Sequence, residues 1–301
     1  MKKTAAILLI LVITLFAFKA PEIKSNLQGE LVAYRGGGQL IDYASMDNFS
    51  CSASNLMQSD NQVIENTLQS VNQANAKGFD VIHLNILRTK DNNFAVFHDW
   101  KLDCATNGRG KTSHHTMESL EKLDAGYGYT FDHGESYPWR GKGVKISSLR
   151  AIVEAFPEKT YWLNLKNSDE RSVAVLNDYL KTLPLENKGK TILISSKWAA
   201  DYFKELNPSL LAVSVDSTKA CFIDYMLYGW SRIFPESCKN TVMFVPPDKA
   251  DYLWGWPESF ASRMSKNGTR VYLWAKHSEI KQEYDLRAKG IGIITGDLSY
   301  F

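Results

Sequence analysis

The run Val81-Ile82-His83-Leu84-Asn85-Ile86-Leu87 is followed by Arg88-Thr89-Lys90-Asp91-Asn92-Asn93 and then by Phe94-Ala95-Val96-Phe97-His98. The outer runs are apolar and rich in β-branched and aromatic residues, as strands are. The residues between them are polar turn formers, too few for the crossover that a parallel pair requires. The second run therefore returns on the first as a hairpin. A two-residue turn at Asp91–Asn92 would set His98 opposite Asn85.

Outward from this hairpin, strand-like runs recur at Leu31–Arg35, Thr160–Leu165, Thr191–Ser195, Leu211–Val215, Val242–Val245, Arg270–Trp274 and Ile291–Thr295. Helical periodicity marks Val63–Lys77, Met117–Leu123, Ser148–Phe156, Glu170–Leu183, Lys197–Leu206, Trp256–Ser265 and Glu279–Lys289. Strands alternating with helices build parallel sheets. With the return arm Phe94–His98 set aside, eight strands remain. The fold class is α/β, a (β/α)8 TIM barrel with a β-hairpin extension and long loops at its catalytic face. Residues 101–143, rich in Gly, His and Asp, read as an extended loop over that face. In such barrels the site lies at the C-terminal strand ends. That selects Tyr34-Arg35-Gly36, His83 to Asn85, His98-Asp99, Asn164 to Lys166, Trp274 and Thr295.

The chain has 301 residues, 44% hydrophobic and 23% charged, an ordinary globular composition that excludes wholesale disorder. Its formal net charge is +2. Lys2, Lys3 and Lys19 account for that excess, so the remainder has no surplus base for a nucleic-acid backbone. Residues 1–20 read as an export signal or N-terminal anchor. Two lysines precede the uncharged run from Ala5 to Phe18, which is short for a spanning helix. Export to the periplasm or outside the cell permits disulfides. Cys51, Cys104, Cys221 and Cys238 allow three pairings, and their loop positions favour Cys51–Cys104 with Cys221–Cys238.

The motifs resemble the glycerophosphodiester phosphodiesterase family. That family opens with His-Arg-Gly, here Tyr34-Arg35-Gly36, and starts its first helix with Glu-Asn-Thr, here Glu65-Asn66-Thr67. Its Gly-x-Asp, Glu-x-Asp, Thr-Lys-Asp and His-Asp run corresponds to Gly78-Phe79-Asp80, His83-Leu84-Asn85, Thr89-Lys90-Asp91 and His98-Asp99. Leu102 to Gly108 and Leu120 to Gly126 match its two loop motifs. Asn164-Leu165-Lys166 matches its Glu-x-Lys, Val271–Trp274 its late Trp strand, and Gly292–Asp297 its terminal Gly-Ile-x-Thr-Asp. The resemblance implies one barrel domain over residues 30–301.

It also implies a chemistry that this chain alters. The family holds a divalent cation, Ca²⁺ or Mg²⁺, on three carboxylates, and two histidines pass protons. The carboxylate positions are His83, Asn85 and Asn164 here, and the first histidine is Tyr34. Hard cations take oxygen ligands, with carboxylates supplying the charge. No metal cofactor is expected from this set. His98 and Tyr34 are the expected catalytic groups, and Arg35, Lys166 and Trp274 the expected substrate contacts. Arg35 and Lys166 suit a phosphodiester anion.

The resulting expectation is a degenerate family member that binds a small phosphodiester or lipid headgroup with weak or no turnover. An active phosphoric diester hydrolase using another metal or none is one alternative. A cell-envelope interaction protein that keeps the barrel as a scaffold is another. Nucleic acid is not an expected partner, nor is a membrane span beyond the N-terminal run.

Overall fold

The computed structural model describes residues 28–301 apart from 39–40, 43–48, 55, 58–60, 62, 232, 276–284 and 300. The N-terminal run expected to be a signal or anchor lies outside the described residues. The chain divides into two compact units. The larger holds Leu31–Val215 and Ile294–Phe301, and the smaller holds Asp216–Ile293 together with the described residues just before Leu31.

The larger unit begins with β1 (Leu31–Ala33), α1 (Leu68–Ala76), β2 (Val81–Arg88) and β3 (Phe94–Val96). It continues through α2 (Met117–Glu121), β4 (Ser147–Ser148), α3 (Leu149–Ala155) and β5 (Thr160–Leu165). Then follow α4 (Glu170–Lys181), β6 (Ile192–Ile194), α5 (Lys197–Leu206) and β7 (Leu211–Val213). Strands β1, β2, β5, β6 and β7 are neighbours in parallel, in the order β7-β6-β5-β2-β1. Every residue of β2 before Arg88 is buried, as expected of a parallel strand covered on both faces. Polar residues start the helices. Thr67 and Ser70 form a reciprocal capping box on α1, and Asp169 and Ser196 cap α4 and α5.

The smaller unit contains α6 (Val215–Tyr228, starting at the boundary), β8 (Val242–Val245), α7 (Glu258–Lys266) and β9 (Arg270–Trp274). Strands β8 and β9 are parallel. Strand β10 (Gly292–Thr295) begins in the smaller unit and ends in the larger.

Strand β3 pairs antiparallel with β2, but with Ile86 opposite Val96 and Leu87 opposite Ala95. Phe97, not His98, meets Asn85, its N–H donating to the Asn85 carbonyl at 3.0 Å. The expected register is one residue out because the turn spans Lys90-Asp91-Asn92. The Thr89 N–H bonds the Asn93 carbonyl, and Asn92 sits at φ 59°. This is the three-residue hairpin turn that ends in a left-handed residue. A second difference is α6, which shows no helical periodicity in the sequence. Its buried Thr218, Cys221 and Tyr225 are interspersed with exposed Ile223, Leu227 and Tyr228, so no apolar stripe stands out. Of the helix expected at Glu279–Lys289, residues 279–284 lie outside the described set, and Asp285–Lys289 is a 3-10 helix.

Residues 101–143, expected as an extended loop, are less loop-like than that, and with the residues just after them they pack inward. Leu102, Ala105, Met117, Leu120, Ala125, Tyr129, Trp139 and Ile146 bury themselves with Leu87, Ala95 and Phe97 in a core of their own. Both expected disulfides are present. Cys51–Cys104 lies in the larger unit and Cys221–Cys238 in the smaller. They suggest a protein folded in an oxidising compartment. Among the described residues, no helix is long and apolar enough to cross a membrane.

Candidate active site

The candidate residues of the larger unit come from the middle of β2, the end of β5 and the turns after β1 and β3. Beyond β1 the backbone turns sharply, with Arg35, Gly36 and Gly37 at φ 55°, 75° and 80°. A Cβ on Gly36 would come within 2.7 Å of Ser70 Oγ, so the approach of α1 to this turn requires glycine. Arg35 is not glycine, and its left-handed backbone is held from both sides. Its N–H donates to His83 Nδ1 at 3.1 Å, and its carbonyl accepts from the Asn66 N–H at 2.6 Å. Its guanidinium bonds both carboxylate oxygens of Glu65 through Nη1, at 2.8 and 3.1 Å. Both side chains of that ion pair are nearly fully buried.

His83 and Asn85 alternate on β2 and so share a face. The Tyr34 ring stacks on the His83 imidazole with centroids 4.5 Å apart, and the Arg35 guanidinium lies 5.3 Å from the Tyr34 ring. Asn85 is clasped by Asn66. The Asn66 side-chain oxygen accepts the Asn85 N–H at 2.9 Å, and its amide donates to Asn85 Oδ1 at 3.2 Å. On β5, Asn164 is the Cα partner of Asn85. Lys166 follows, its N–H bonded to the Ile86 carbonyl at 3.0 Å.

A second group lies after β3. His98 and Asp99 are both buried, with His98 Nδ1 2.8 Å from Asp99 Oδ1. Lys166 Nζ lies 3.4 Å from His98 Nε2. An ammonium can only donate, so Nε2 accepts and the ring proton sits on Nδ1, where it donates to Asp99. The Ser52 N–H reaches both Asp99 carboxylate oxygens at 3.2 Å.

Burial, reinforced by the Arg35 charge, pushes His83 down to about 3. Burial and the charges of Arg35 and Lys166 take His98 to about 3 as well. Both imidazoles are therefore neutral at pH 7. The His98–Asp99 contact is then a hydrogen bond from a neutral ring to a carboxylate rather than an ion pair. Burial raises Asp99 to about 6, against the pull of Ser52, Arg35 and Lys166.

Of the two cations expected to meet a phosphodiester anion, Arg35 is already paired with the Glu65 carboxylate. Glu65, Asn66 and Ser52 are the structural participants that the motifs did not assign. The first two were visible as the Glu-Asn-Thr motif. Ser52 had no signal, since it acts mainly through its main-chain N–H. Trp274 closes β9 in the smaller unit, half-buried.

His83, Asn85 and Asn164, the residues expected from the motifs at the family's ligand positions, do not fit a hard divalent cation. His83 Nδ1 is taken by the Arg35 N–H, and Asn85 Oδ1 accepts from the Asn66 amide. A guanidinium–carboxylate pair fills the neighbouring space. None of the three positions carries a negative charge. Among the described residues, no group of three or more His, Cys, Asp or Glu side chains is placed to hold a metal ion.

The fold can be placed among solved structures. The glycerophosphoryl diester phosphodiesterase domain of a Mycobacterium tuberculosis protein superposes with a TM-score of 0.65 at 17% identity, covering 90% of this chain and 96% of that one. A glycerophosphodiester phosphodiesterase from Agrobacterium tumefaciens gives a TM-score of 0.58 at 18% identity, covering 89% and 94%. The fold is the parallel (β/α)8 barrel. The model of the glycerophosphoryl diester phosphodiesterase family matches residues 51–298, and the chain belongs to that family. It is 34% identical over 239 residues to the glycerophosphodiester phosphodiesterase of Caldanaerobacter subterraneus subsp. tengcongensis, covering 78% of this chain and 89% of that protein. It is 31% identical over 170 residues to the glycerophosphodiester phosphodiesterase of Bacillus subtilis. That match covers 52% of this chain and only 56% of the relative's length.

Proposed function

We propose that this protein binds a small glycerophosphodiester, such as a deacylated lipid headgroup, and hydrolyses it weakly or not at all. The observation that carries this reading is the contrast within one site. The group around His98 keeps a form suited to a phosphodiester, while the family's ligand positions have become an internally bonded network. Lys166 supplies a point charge for a phosphate oxygen. His98 has its proton fixed on Nδ1, so Nε2 is its acceptor; Lys166 now occupies it, and it would take a substrate or water proton once the ammonium turns to a phosphate oxygen. Hydrolysis also calls for charge stabilisation of the transition state and a second proton carrier. Arg35 is committed to Glu65, and Tyr34 is stacked on His83. This supports binding over turnover.

The second reading, an active hydrolase using another metal or none, is favoured by the orientation of His98 on Asp99. On either reading, the expected setting is the periplasm or the cell exterior. Residues 1–20 would be the export segment, and residues 30–301 one glycerophosphodiester phosphodiesterase-like domain.

The test is a thermal-shift panel with glycerophosphocholine, glycerophosphoethanolamine and sn-glycerol-3-phosphate, alongside a turnover assay with Mg²⁺, Ca²⁺, Zn²⁺ or chelator. Stabilisation by a diester without turnover is the expected result. Turnover would establish the second reading. Neither stabilisation nor turnover would overturn both and leave the barrel as a scaffold.

A further inference from the structure

The Asp99 carboxylate, which orients His98, is itself held from one direction. The Ser52 N–H points at both its oxygens at 3.2 Å, and the Ser52 hydroxyl donates to Oδ2 at 3.4 Å. That hydroxyl also meets the phenol of Tyr129 at 3.2 Å. A carboxylate only accepts, so the Ser52 hydroxyl gives its single proton to Asp99 and the phenol donates to Ser52 Oγ. Ser52 and Tyr129 are 1% and 2% exposed, so water does not substitute for these bonds. Ser52 immediately follows Cys51, which is bonded to Cys104 in the segment that starts the 101–146 core. The bridge thus ties the clamp on Asp99 to a packed part of the same unit. A further anchor is the Thr130 N–H on the Ala53 carbonyl at 3.3 Å.

We propose that Ser52 is a positioning residue that fixes the proton-bearing state of His98 through Asp99, and that the Cys51–Cys104 bridge holds Ser52 to that task. This rests on the reading of His98 as the proton carrier, but its consequence is visible without catalysis. A buried carboxylate that loses donors takes up a proton more readily. Once protonated, Asp99 presents an O–H toward His98 Nδ1. The imidazole then moves its own proton to Nε2, where it confronts the ammonium of Lys166, donor against donor. The tautomer of His98 therefore depends on the donors that Ser52 supplies. The other charged groups acting on Asp99 and His98 are Arg35, Lys166 and Glu65, and these variants leave them in place.

The test is ¹⁵N NMR of the His98 side chain and a carboxyl titration of Asp99, in the full chain, for Ser52→Ala, Tyr129→Phe and the double variant Cys51→Ser with Cys104→Ser. The wild type is expected to show the Nδ1–H tautomer at pH 7. Ser52→Ala keeps the main-chain N–H and removes only the hydroxyl, so it should raise the Asp99 midpoint by about half a unit and begin to populate the Nε2–H tautomer. Tyr129→Phe should move it in the same direction by less, and the double cysteine variant by at least as much as Ser52→Ala. Tyr129→Phe removes one oxygen at constant shape, so it remains informative if a serine or cysteine variant fails to fold. An unchanged tautomer and midpoint in the variants that fold would overturn the proposal, as would an Nε2–H tautomer in the wild type. Adding glycerophosphocholine separates the two questions. If the wild type neither binds nor turns over the diester while the tautomer shifts as stated, the functional reading fails and the positioning role stands.

Discussion

Two groups of residues in the larger unit differ in how they are finished. Around β1 and β2, the polar side chains satisfy one another. Arg35 closes on Glu65, Asn66 on Asn85, and His83 on the Arg35 N–H. Around β3 and β5, the hydrogen bonds run in a line, from Tyr129 through Ser52 and Asp99 to His98 and Lys166. A closed network buries polar atoms by letting each satisfy another. A line has two ends, and the end at His98 and Lys166 is where the proposed phosphodiester would be met.

The largest expected effect separates the two groups by pH. Both histidines sit near 6.5 in the unfolded chain and at about 3 when folded. Between those values the unfolded chain binds more protons, so stability rises with pH from about 3 to about 6.5. Asp99, raised from 3.8 to about 6, opposes this in its own window, because there the folded state holds the extra proton. The net slope over pH 4–6 is about 1.4 kcal/mol per pH unit, and the whole acid limb is worth on the order of 5 kcal/mol. Denaturant unfolding across this range checks it. His83→Gln should remove about one proton's worth of the slope, and an unchanged slope would mean that His83 is not held neutral.

Next in size is Glu65→Ala, which strands a buried guanidinium. It should destabilise the protein by about 3–5 kcal/mol, as expected when one partner of a buried pair is removed. A loss below 1 kcal/mol in urea unfolding would show that the first group is not closed in the way described. Removing either disulfide should cost about 2–4 kcal/mol. Only loss of Cys51–Cys104 should also move the His98 spectrum, since Cys221–Cys238 lies in the other unit.

The smallest expected shifts concern metal. For the wild type, neither Mg²⁺ nor Ca²⁺ at millimolar concentration should raise Tm. The fourfold variant Tyr34→His, His83→Glu, Asn85→Asp, Asn164→Glu should gain about 2.7 kcal/mol of stability when the metal is at a hundred times its Kd. It should also gain metal-dependent hydrolysis of a glycerophosphodiester. A chelator-reversible rise in the wild type would break the distinction between the two groups. A folded fourfold variant with neither response would show that the network has closed the ligand positions for good.

The sequence made the frame of this molecule legible where one residue class sets one period. Strands β5, β8 and β9 and helix α5 fall on the expected residues, and the ordered motifs pointed to Arg35, His83, Asn85, His98, Asn164 and Lys166 as site candidates, whose role rests on the proposal. Legibility failed where a single backbone angle or main-chain group decides. Asn92 takes the left-handed conformation and lengthens the turn by one residue, which shifts His98 relative to Asn85. Helix α6 mixes exposed apolar residues with charged ones and leaves no stripe to detect. Ser52 works through an N–H that every residue but proline has. Glu65 was visible as a motif, but its closure on Arg35 depends on a turn that brings together residues thirty apart.

The Cys51–Cys104 bridge also bears on the order of events during folding. It spans 53 positions, and that span contains all of α1, β2 and β3. The β2–β3 hairpin is the most local pairing in the unit and is therefore placed to form early. Once formed, it shortens the path between the two cysteines and lowers the entropic cost of joining them. Bridge closure and hairpin formation thus promote each other. A chain kept reduced should still assemble the hairpin but reach its final form more slowly, and a refolding time course with and without reductant would register the delay.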